Sequence, residues 1–343
     1  MTTTNAFKKA YWETRKGDFA DAAMTLLPRN RSGDLVWSLV AHRRAFGRWP
    51  NYWHPRTANE HWLRMKLGGE LDRDIRQRIS DKELVKDYVR ERIGEGYTPR
   101  TLAVLRSEAE IERFAFPDVC AIKPTHASGR YVLRRGAAAP VDRKMIASWL
   151  DEDFYSVSRE RNYRALEHKV IVEECVTPSG DFPEDYKFFC FGGVPTVLSV
   201  NTSRSNGMRI NYFSPDWREL DIERRDYPRA LAPIPRPAHL QQMLSLAREL
   251  SAGFSFIRVD FYHTADRVLV GELTNLPDAA HLRFSSYAVD LKFGALFEDP
   301  GIDVERWFGF AGRREDAHEA AGAVVGAAPR AKRRAARRAA PQV

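Results

Sequence analysis

Three pairs of short apolar runs, each pair joined by a brief turn, make up much of residues 118–274. The pairs are DVCAIKP with YVLRR, DYKFFCF with VPTVLSVNTSR, and FSFIRVDFYH with RVLVGELT. Apolar and aromatic runs on either side of a short turn predict antiparallel hairpins. Because patterns typical of helices lie between the pairs, the sequence predicts an α+β architecture and argues against a doubly wound parallel sheet.

The chain divides by composition into three parts. Residues 1–78 are rich in Trp, Arg and His and contain two candidate helices, LVWSLVAHRRAF and ANEHWLRMKLG. Residues 79–308 alternate helical and strand patterns, whereas residues 313–343 are rich in Ala and Arg, with few large apolar groups to bury. We therefore expect a helical N-terminal region, a central domain and a disordered tail.

Two helical segments flank the first hairpin. SDKELVKDYVRERIG has one apolar stripe, with Ser80 as the expected N-cap and Gly94 or Gly96 as the expected end. MIASWLDEDFYSVSRE is also predicted to be helical. The three cysteines lie in apolar runs that read as strands, without metal-ligand spacing, and are expected to be buried free thiols: Cys120, Cys175 and Cys190.

The net charge of +8 is concentrated in the tail. Six basic residues and no acid lie between 329 and 343, so the rest of the chain carries about +2 (8 minus 6). The tail is therefore a candidate for contact with an anionic membrane surface, and nucleic acid is not the expected partner. The chain lacks an apolar leader and any run of roughly 18 apolar residues, and we expect a cytoplasmic protein, peripheral at most to the inner membrane face.

Lys123 ends an apolar run and precedes the turn THASGR. A lysine beside a flexible turn can bind phosphate, but it is also typical of a solvated hairpin end. The glycine and Lys-Ser/Thr spacing of a Walker loop is absent.

Two carboxylates, Asp260 and Glu272, lie in apolar strands on the two arms of the third hairpin. An unpaired carboxylate is costly there, so the pair indicates a magnesium site or, alternatively, ion pairs with Arg258 or Arg283. The strand VIVEECV, with Glu173 and Glu174 near its end, is either a hinge or an ordinary core strand.

The order DK, KPTHASG, VEECV, DYKFFCF, RVDFY and GELT resembles the ATP-grasp superfamily, and most closely its TupA-like branch, which is named for teichuronopeptide synthesis and associated with cell-surface polysaccharide loci. The resemblance covers roughly residues 53–300 and includes PRTANEHW and SDKELVKDYVRERIGEGY, with His61 in place of the branch's usual lysine. It departs at Pro277-Asp278-Ala279-Ala280, where the branch has a glycine-rich stretch.

The resemblance implies an ATP-grasp fold, with a first lobe and hinge at 79–175 and a second lobe at 176–308, and it implies roles for individual residues. Lys82 and Lys123 would bind phosphates, and Lys187 would lie near the γ-phosphate. The implied lid loop is His126, Ala127, Ser128, Gly129 and Arg130, and the implied adenine hinge is Glu173, Glu174, Cys175 and Val176. Asp181 or Glu184 would reach the ribose, and Arg258 or Arg204 would face the acceptor. Asp260 and Glu272 would hold Mg²⁺, with Asn275 as a third ligand, although the family's asparagine lies two residues after the glutamate, where this chain has Thr274.

These roles predict an ATP- and Mg²⁺-dependent carboxylate–amine ligase that acts through an acyl phosphate on a glycan or amino-acid precursor. A sugar or alcohol kinase on the same scaffold is the alternative. The third possibility is a non-enzymatic module that binds anionic polymers. Against it argues the presence together of five residues: Lys82, Lys123, Lys187, Asp260 and Glu272.

Overall fold

The structure is a computed structural model that describes residues 24, 26–177, 184–202, 207–230, 232–264 and 266–311. The predicted disordered tail at 313–343, Asp181 and Arg204 lie outside the described residues. Among the described residues, no helix combines the length and apolar character that crossing a membrane requires.

Two antiparallel sheets organise the described chain. The first contains, in spatial order, β1, β4, β2 and β3, and the second β7, β6, β5, β8 and β9. The strands are β1 Thr101–Leu105, β2 Val119–Pro124, β3 Val132–Arg135, β4 Val170–Glu173, β5 Asp185–Phe191, β6 Val194–Thr202, β7 Arg209–Phe213, β8 Phe256–His263 and β9 Val268–Thr274. All three predicted hairpins are confirmed, as β2 with β3, β5 with β6, and β8 with β9. The α+β class is confirmed with them.

Helices cover both sheets. They are α1 Arg31–Phe46, α2 Ala58–Leu67, α3 Asp74–Arg78, α4 Leu84–Ile93, α5 Glu108–Arg113, α6 Arg143–Ser148, α7 Phe154–Ser158, α8 Leu240–Ser251, α9 Tyr287–Ala295 and α10 Val304–Phe308. Short 3-10 turns lie at Glu70–Asp72, Trp149–Asp151, Arg161–Tyr163 and Pro277–Ala280. Helices α1 and α2 confirm the two helices expected in the N-terminal region.

The second sheet is buried on both faces because its side chains alternate between two cores. Phe188 and Cys190 of β5 pack into a core with α4 and α8. Phe189 and Phe191 point the other way, into an aromatic core with α2, α9 and α10. The first sheet has its own core with α5 and α6.

Three local expectations need correction. Ser80 is not the N-cap of α4; its hydroxyl donates to the Arg76 carbonyl, and Asp81 instead accepts from the backbone N–H groups of Glu83 and Leu84. The segment predicted as helix after Arg143 is broken into α6, a 3-10 turn and α7. Cys175 follows β4 and is half-buried, whereas Cys120 and Cys190 are buried within strands as predicted.

Candidate functional site

An apolar slot opens where the two sheets approach each other. Its lining comes from the segment before β1, from the β2–β3 hairpin, from the segment after β4 and from β8: Pro99, Ala121, Lys123, Tyr131, Leu133, Glu174, Cys175, Val176, Thr177 and Tyr262. Apolar and aromatic walls with backbone groups from an irregular segment suit a flat heteroaromatic ring. Glu174, Cys175 and Val176 therefore lie where a hinge for adenine is expected.

Glu173 is placed differently from the other three hinge residues. Its backbone lies inside the first sheet, opposite Thr101 of β1 and Ala121 of β2. Its carboxylate is buried and binds two lysines, with Lys86 Nζ at 2.5 Å from Oε1 and Lys123 Nζ at 2.7 Å from Oε2. These contacts argue against the hinge role predicted for Glu173, because its backbone is paired within the sheet and its side chain neutralises cations.

A second, polar pocket adjoins the apolar slot and shares Lys123 and Pro99 with it. Lys82, Lys86, Glu173 and Glu272 also line this pocket. Burial lowers the pKa of Lys82. Burial also opposes the charge of Lys123, but Glu173 outweighs it, with help from Tyr262 and Glu272, and the pKa of Lys123 is raised. Fixed cations at the end of an apolar slot are the arrangement that a nucleotide's phosphates need.

The loop expected to cover the phosphates is only partly exposed. The His126 ring is buried, stacks on His168 with centroids 3.9 Å apart, and lies with Nε2 at 3.0 Å from the Trp149 carbonyl oxygen. Ala127 is buried, and its carbonyl accepts from Lys82 Nζ. Ser128 is half-buried and Gly129 is exposed, with φ +74°. The imidazole therefore anchors the loop, and a covering role is left to Ser128 and Gly129.

Asp260 and Glu272 face each other as register partners on β8 and β9. Asp260 is buried and accepts from Arg258 through both oxygens, at 2.7 Å each, and from Lys187 Nζ at 2.5 Å. Burial raises the pKa of Asp260, but Arg258 and Lys187 outweigh it and hold the pKa below its ordinary value. The ion pair with Arg258, foreseen as the alternative to a metal, is thus present, whereas Arg283 pairs with Asp226.

Glu272 is the more open of the two carboxylates. It is half-buried, accepts from the Thr274 hydroxyl at 3.0 Å, and forms no ion pair with the described residues. Across the described ranges, no cluster of three or more His, Cys, Asp or Glu side chains could hold a metal. The residues present fit a Mg²⁺ ion only if phosphate oxygens complete its shell, as is usual for this ion.

The hydrogen bonds of Asn275 argue against its predicted role as a metal ligand. Its Oδ1 accepts from Arg76 at 2.9 Å, and its Nδ2 donates to the Arg76 carbonyl and the Ser80 hydroxyl at 3.1 and 3.0 Å. Side chains alternate along β9, so Glu272 and Thr274 share a face that Asn275 does not. Thr274 is therefore the residue placed to assist Glu272.

Lys187 and Arg258 complete a charged strip on the second sheet. Lys187 lies opposite Asp260 on β5 and also binds Asp185 at 2.7 Å. Arg258 donates to Thr274 at 3.0 Å as well as to Asp260. The strip places two cations and two carboxylates beside the polar pocket. Fixed charges of this kind can stabilise the charge that develops when a group is transferred between anions.

Sequence reasoning missed Lys86 and Tyr262, both of which line the cleft. Lys86 lies four residues after Lys82, a spacing that brings two side chains together within a helix, and the sequence predicted a helix from Ser80. Tyr262 lies two residues after Asp260, on the same face of β8. Both periodicities were available in the sequence.

The family model of the TupA-like ATP-grasp family matches residues 60–298, more than half of the chain. No curated protein matches the sequence. The solved structures that resemble it include a D-alanine–D-alanine ligase from Helicobacter pylori, with 15% identity, a TM-score of 0.33, and 63% of this chain and 60% of that one covered.

Two further structures are similar at the same level. The ATP-grasp ligase PsnB, complexed with a phosphomimetic variant of its minimal precursor, Mg and ADP, has 16% identity, a TM-score of 0.34, and coverage of 70% of this chain and 65% of its own. An N5-carboxyaminoimidazole ribonucleotide synthetase from Thermus thermophilus has 13% identity, a TM-score of 0.34, and coverage of 72% and 57%. In all three comparisons this chain spans less than two thirds of the neighbour's length. Likeness at this level carries no functional conclusion.

Proposed function

The chain belongs to the TupA-like ATP-grasp family, and on this premise we propose that it is a ligase that uses ATP to activate a carboxylate for attack by an amine. The observation that carries the proposal is the pair of adjoining pockets that share Lys123, one apolar and one lined by lysines and carboxylates. The first suits adenine and the second suits a metal-bound triphosphate. The first sheet and the hinge would belong to a lobe at 79–175, and the second sheet to a lobe at 176–308.

In this proposal each charged residue has one task. Lys82, Lys86 and Lys123 bind phosphate oxygens, and Lys187 lies beside the transferred phosphoryl group. Asp260 and Glu272 would hold Mg²⁺, which when bound neutralises charge on the phosphates. Glu173 keeps two of the lysines charged in a buried setting and fixes their positions.

Arg258 supports a carboxylate as the activated group. Its guanidinium is held in place by Asp260 and Thr274, both within 3.0 Å. A preorganised arginine is well suited to planar anions such as carboxylates and acyl phosphates. The carboxylate oxygen would attack the γ-phosphorus with release of ADP, and the amine would then attack the carbonyl carbon and displace phosphate.

The alternative is a kinase on the same scaffold, and one experiment separates the two. The full-length protein is incubated with ATP, Mg²⁺ and a panel of uronic acids and amino acids, with and without hydroxylamine. Hydroxylamine converts an acyl phosphate into a stable hydroxamate, so a ligase gives hydroxamate and ADP in equal amounts. Release of ADP with a phosphorylated sugar and no hydroxamate contradicts the proposal.

We further propose that the substrate is a precursor of a cell-surface glycan and that the basic tail brings the enzyme to an anionic membrane. The support is the family's association with such loci and six basic residues without acids in the last fifteen positions. Each basic residue near an anionic surface contributes on the order of 1 kcal/mol. Full-length protein should co-sediment with anionic vesicles at low salt, and a chain ending at residue 325 should not. Equal sedimentation of both forms would remove the tail from this role.

A further inference from the structure

The outer face of helix α1 is apolar although it faces solvent. A surface helix of a globular protein normally buries an apolar stripe and exposes a polar one. In α1 the buried stripe contains Trp37 and Ala41. The opposite side is aliphatic as well, with Leu35 38% exposed, Val36 46% exposed and two half-buried neighbours, Leu39 and Val40. An exposed apolar stripe of this kind marks an interaction surface.

The loop that follows α1 exposes two tryptophans. The side chain of Trp49 is 62% exposed and that of Trp53 is 79% exposed. The loop is held in place by Arg48, whose guanidinium carbon lies 4.2 Å from the centre of the Tyr287 ring and whose Nη2 lies 3.5 Å from the buried Asp290 carboxylate. The two large indole rings therefore project from a fixed part of the fold.

The helix and the loop form one continuous surface. Val36, Val40 and Arg43 follow helical spacing, so their side chains lie along one line on the outside of α1. The Arg43 guanidinium donates to the carbonyl of Gly47, which ends the helix, and the loop continues from there. We call the outer stripe of α1 together with Trp49 and Trp53 the N-terminal face.

The charge around the N-terminal face has one sign. Residues 35–59 contain four arginines and neither aspartate nor glutamate. Arg48 pairs with Asp290, whereas Arg43 and Arg56 are exposed and form no ion pair with another of the described residues. Basic side chains beside exposed leucine, valine and tryptophan are typical of segments that lie in the interfacial layer of an anionic bilayer.

Two other partners fit this surface less well. A second copy of this chain would bring the same arginines and no acid to the contact, so charge complementarity argues against self-association. A soluble glycan could stack on the tryptophans, but it has no apolar surface with which to cover the aliphatic stripe of α1.

Resting on the proposed attachment of the tail, we propose that the N-terminal face inserts into the interfacial layer of an anionic membrane and holds the folded domain against it. The basic tail supplies an attraction that salt screens. Burial of apolar side chains is not screened in this way, so the N-terminal face supplies the part of the binding that persists in salt. Peripheral attachment generally takes two such signals, because a single one binds only marginally.

The test compares the full-length protein with the full-length double variant Trp49→Ser/Trp53→Ser, using vesicles of phosphatidylglycerol and phosphatidylcholine. At about 0.15 M salt, where the tail is screened, the lipid concentration for half-maximal sedimentation should rise at least about tenfold. At low salt the double variant should still sediment through its tail. Val119→Ser changes an apolar side chain of similar exposure to Leu35 on the first sheet, 38%, and is the matched control. Equal sedimentation of the double variant and the wild type at the higher salt would overturn the proposal.

Fluorescence reports insertion separately from binding. Brominated lipids quench tryptophans that enter the bilayer, so they should quench the bound wild type and quench the bound double variant much less. The bound wild type alone decides if the double variant does not fold, because absence of quenching would then refute insertion. Binding to soluble polygalacturonate that depends on both tryptophans, without quenching by lipid, would also overturn the proposal and identify a glycan surface.

The chain that ends at residue 325 separates this proposal from the proposed role of the tail. If that chain sediments as well as the full-length protein while the double variant does not, the tail has no role and the N-terminal face stands. If the truncation abolishes sedimentation while the double variant binds like the wild type at both salt concentrations, the N-terminal face fails and the tail stands.

Discussion

Lys187 Nζ lies 2.5 Å from Oδ2 of Asp260, on the strand beside it in the second sheet. Arg258 occupies both oxygens of the same carboxylate. One of the two candidate magnesium ligands therefore already has its charge compensated by two cations. Glu272, which has no ion pair among the described residues, is left as the carboxylate with free charge for a metal, and the two ligands should not be equivalent.

Replacing Glu272 by Gln should abolish Mg²⁺-dependent turnover while nucleotide affinity changes little. The amide keeps the shape and the contact with Thr274 but removes the charge that a hard cation requires. Loss of metal-assisted charge stabilisation is worth several kcal/mol, or at least about a hundredfold in rate. Rates measured across a Mg²⁺ titration test this, with the exposed Glu298→Gln as control. A variant with wild-type magnesium dependence would refute the site.

Replacing Lys123 by Met should weaken ATP binding and also destabilise the fold. The lost phosphate contact should lower affinity about ten- to a hundredfold by calorimetry. A solvated hairpin lysine would be dispensable for stability, but Lys123 pairs with the buried Glu173, so its loss should cost up to about 3 kcal/mol in urea unfolding.

The double variant Lys123→Met/Glu173→Gln serves as the control for this pair. In the single variant the buried Glu173 carboxylate keeps only Lys86 as an ion-pair partner. The double variant removes that carboxylate and should therefore recover part of the stability. It should not recover ATP affinity. Recovery of both properties would mean that Lys123 acts only through Glu173.

Replacing Asn275 by Ala should destabilise the protein without changing its need for magnesium. The amide makes three buried hydrogen bonds to Arg76 and Ser80, and leaving those partners unsatisfied should cost about 2–4 kcal/mol. Thr274→Val removes the hydroxyl that contacts Glu272 and should instead shift the Mg²⁺ titration. A shifted titration in Asn275→Ala would restore Asn275 as a ligand.

Local patterns were enough to predict the hairpins, because turn residues and apolar alternation act over a few neighbours. Side-chain alternation from Glu272 to Thr274 also places Asn275 off the face of Glu272, although the register of β9 with β8 shifts just before Glu272. The ion pairing of Glu173 with two lysines could not be predicted from the sequence. It depends on β4 lying between β1 and β2, which is a pairing of distant segments. The hydrogen bonds that join Asn162 and Asn275 to Ser80 could not be predicted either, because they span 82 and 195 residues.

His126 should make the stability of the fold depend on pH below neutrality. Its Nε2 lies 3.0 Å from the Trp149 carbonyl oxygen, which can only accept, so Nε2 carries the proton. Nδ1 accepts from the Lys169 N–H at 3.3 Å, a bond that protonation would break. Burial, reinforced by His168, lowers the pKa of His126 from 6.5 to about 4, although the bond to Trp149 opposes this.

The sign of the effect follows from which state binds the proton first. As the pH falls below 6.5, the His126 imidazole becomes protonated in the unfolded chain, whereas in the folded protein it stays neutral until about pH 4. The free energy of unfolding therefore decreases across this window. The decrease is about 2 kcal/mol at pH 5 and about 3 kcal/mol at pH 4. Urea unfolding at pH 7 and pH 5 should show that the wild type loses about 2 kcal/mol more than His126→Gln over this interval. His42, whose pKa burial also lowers to about 4, is present in both proteins and contributes equally. If the free energy of unfolding falls equally with pH in the two proteins, the His126 ring is not held neutral by its contacts with Trp149 and Lys169.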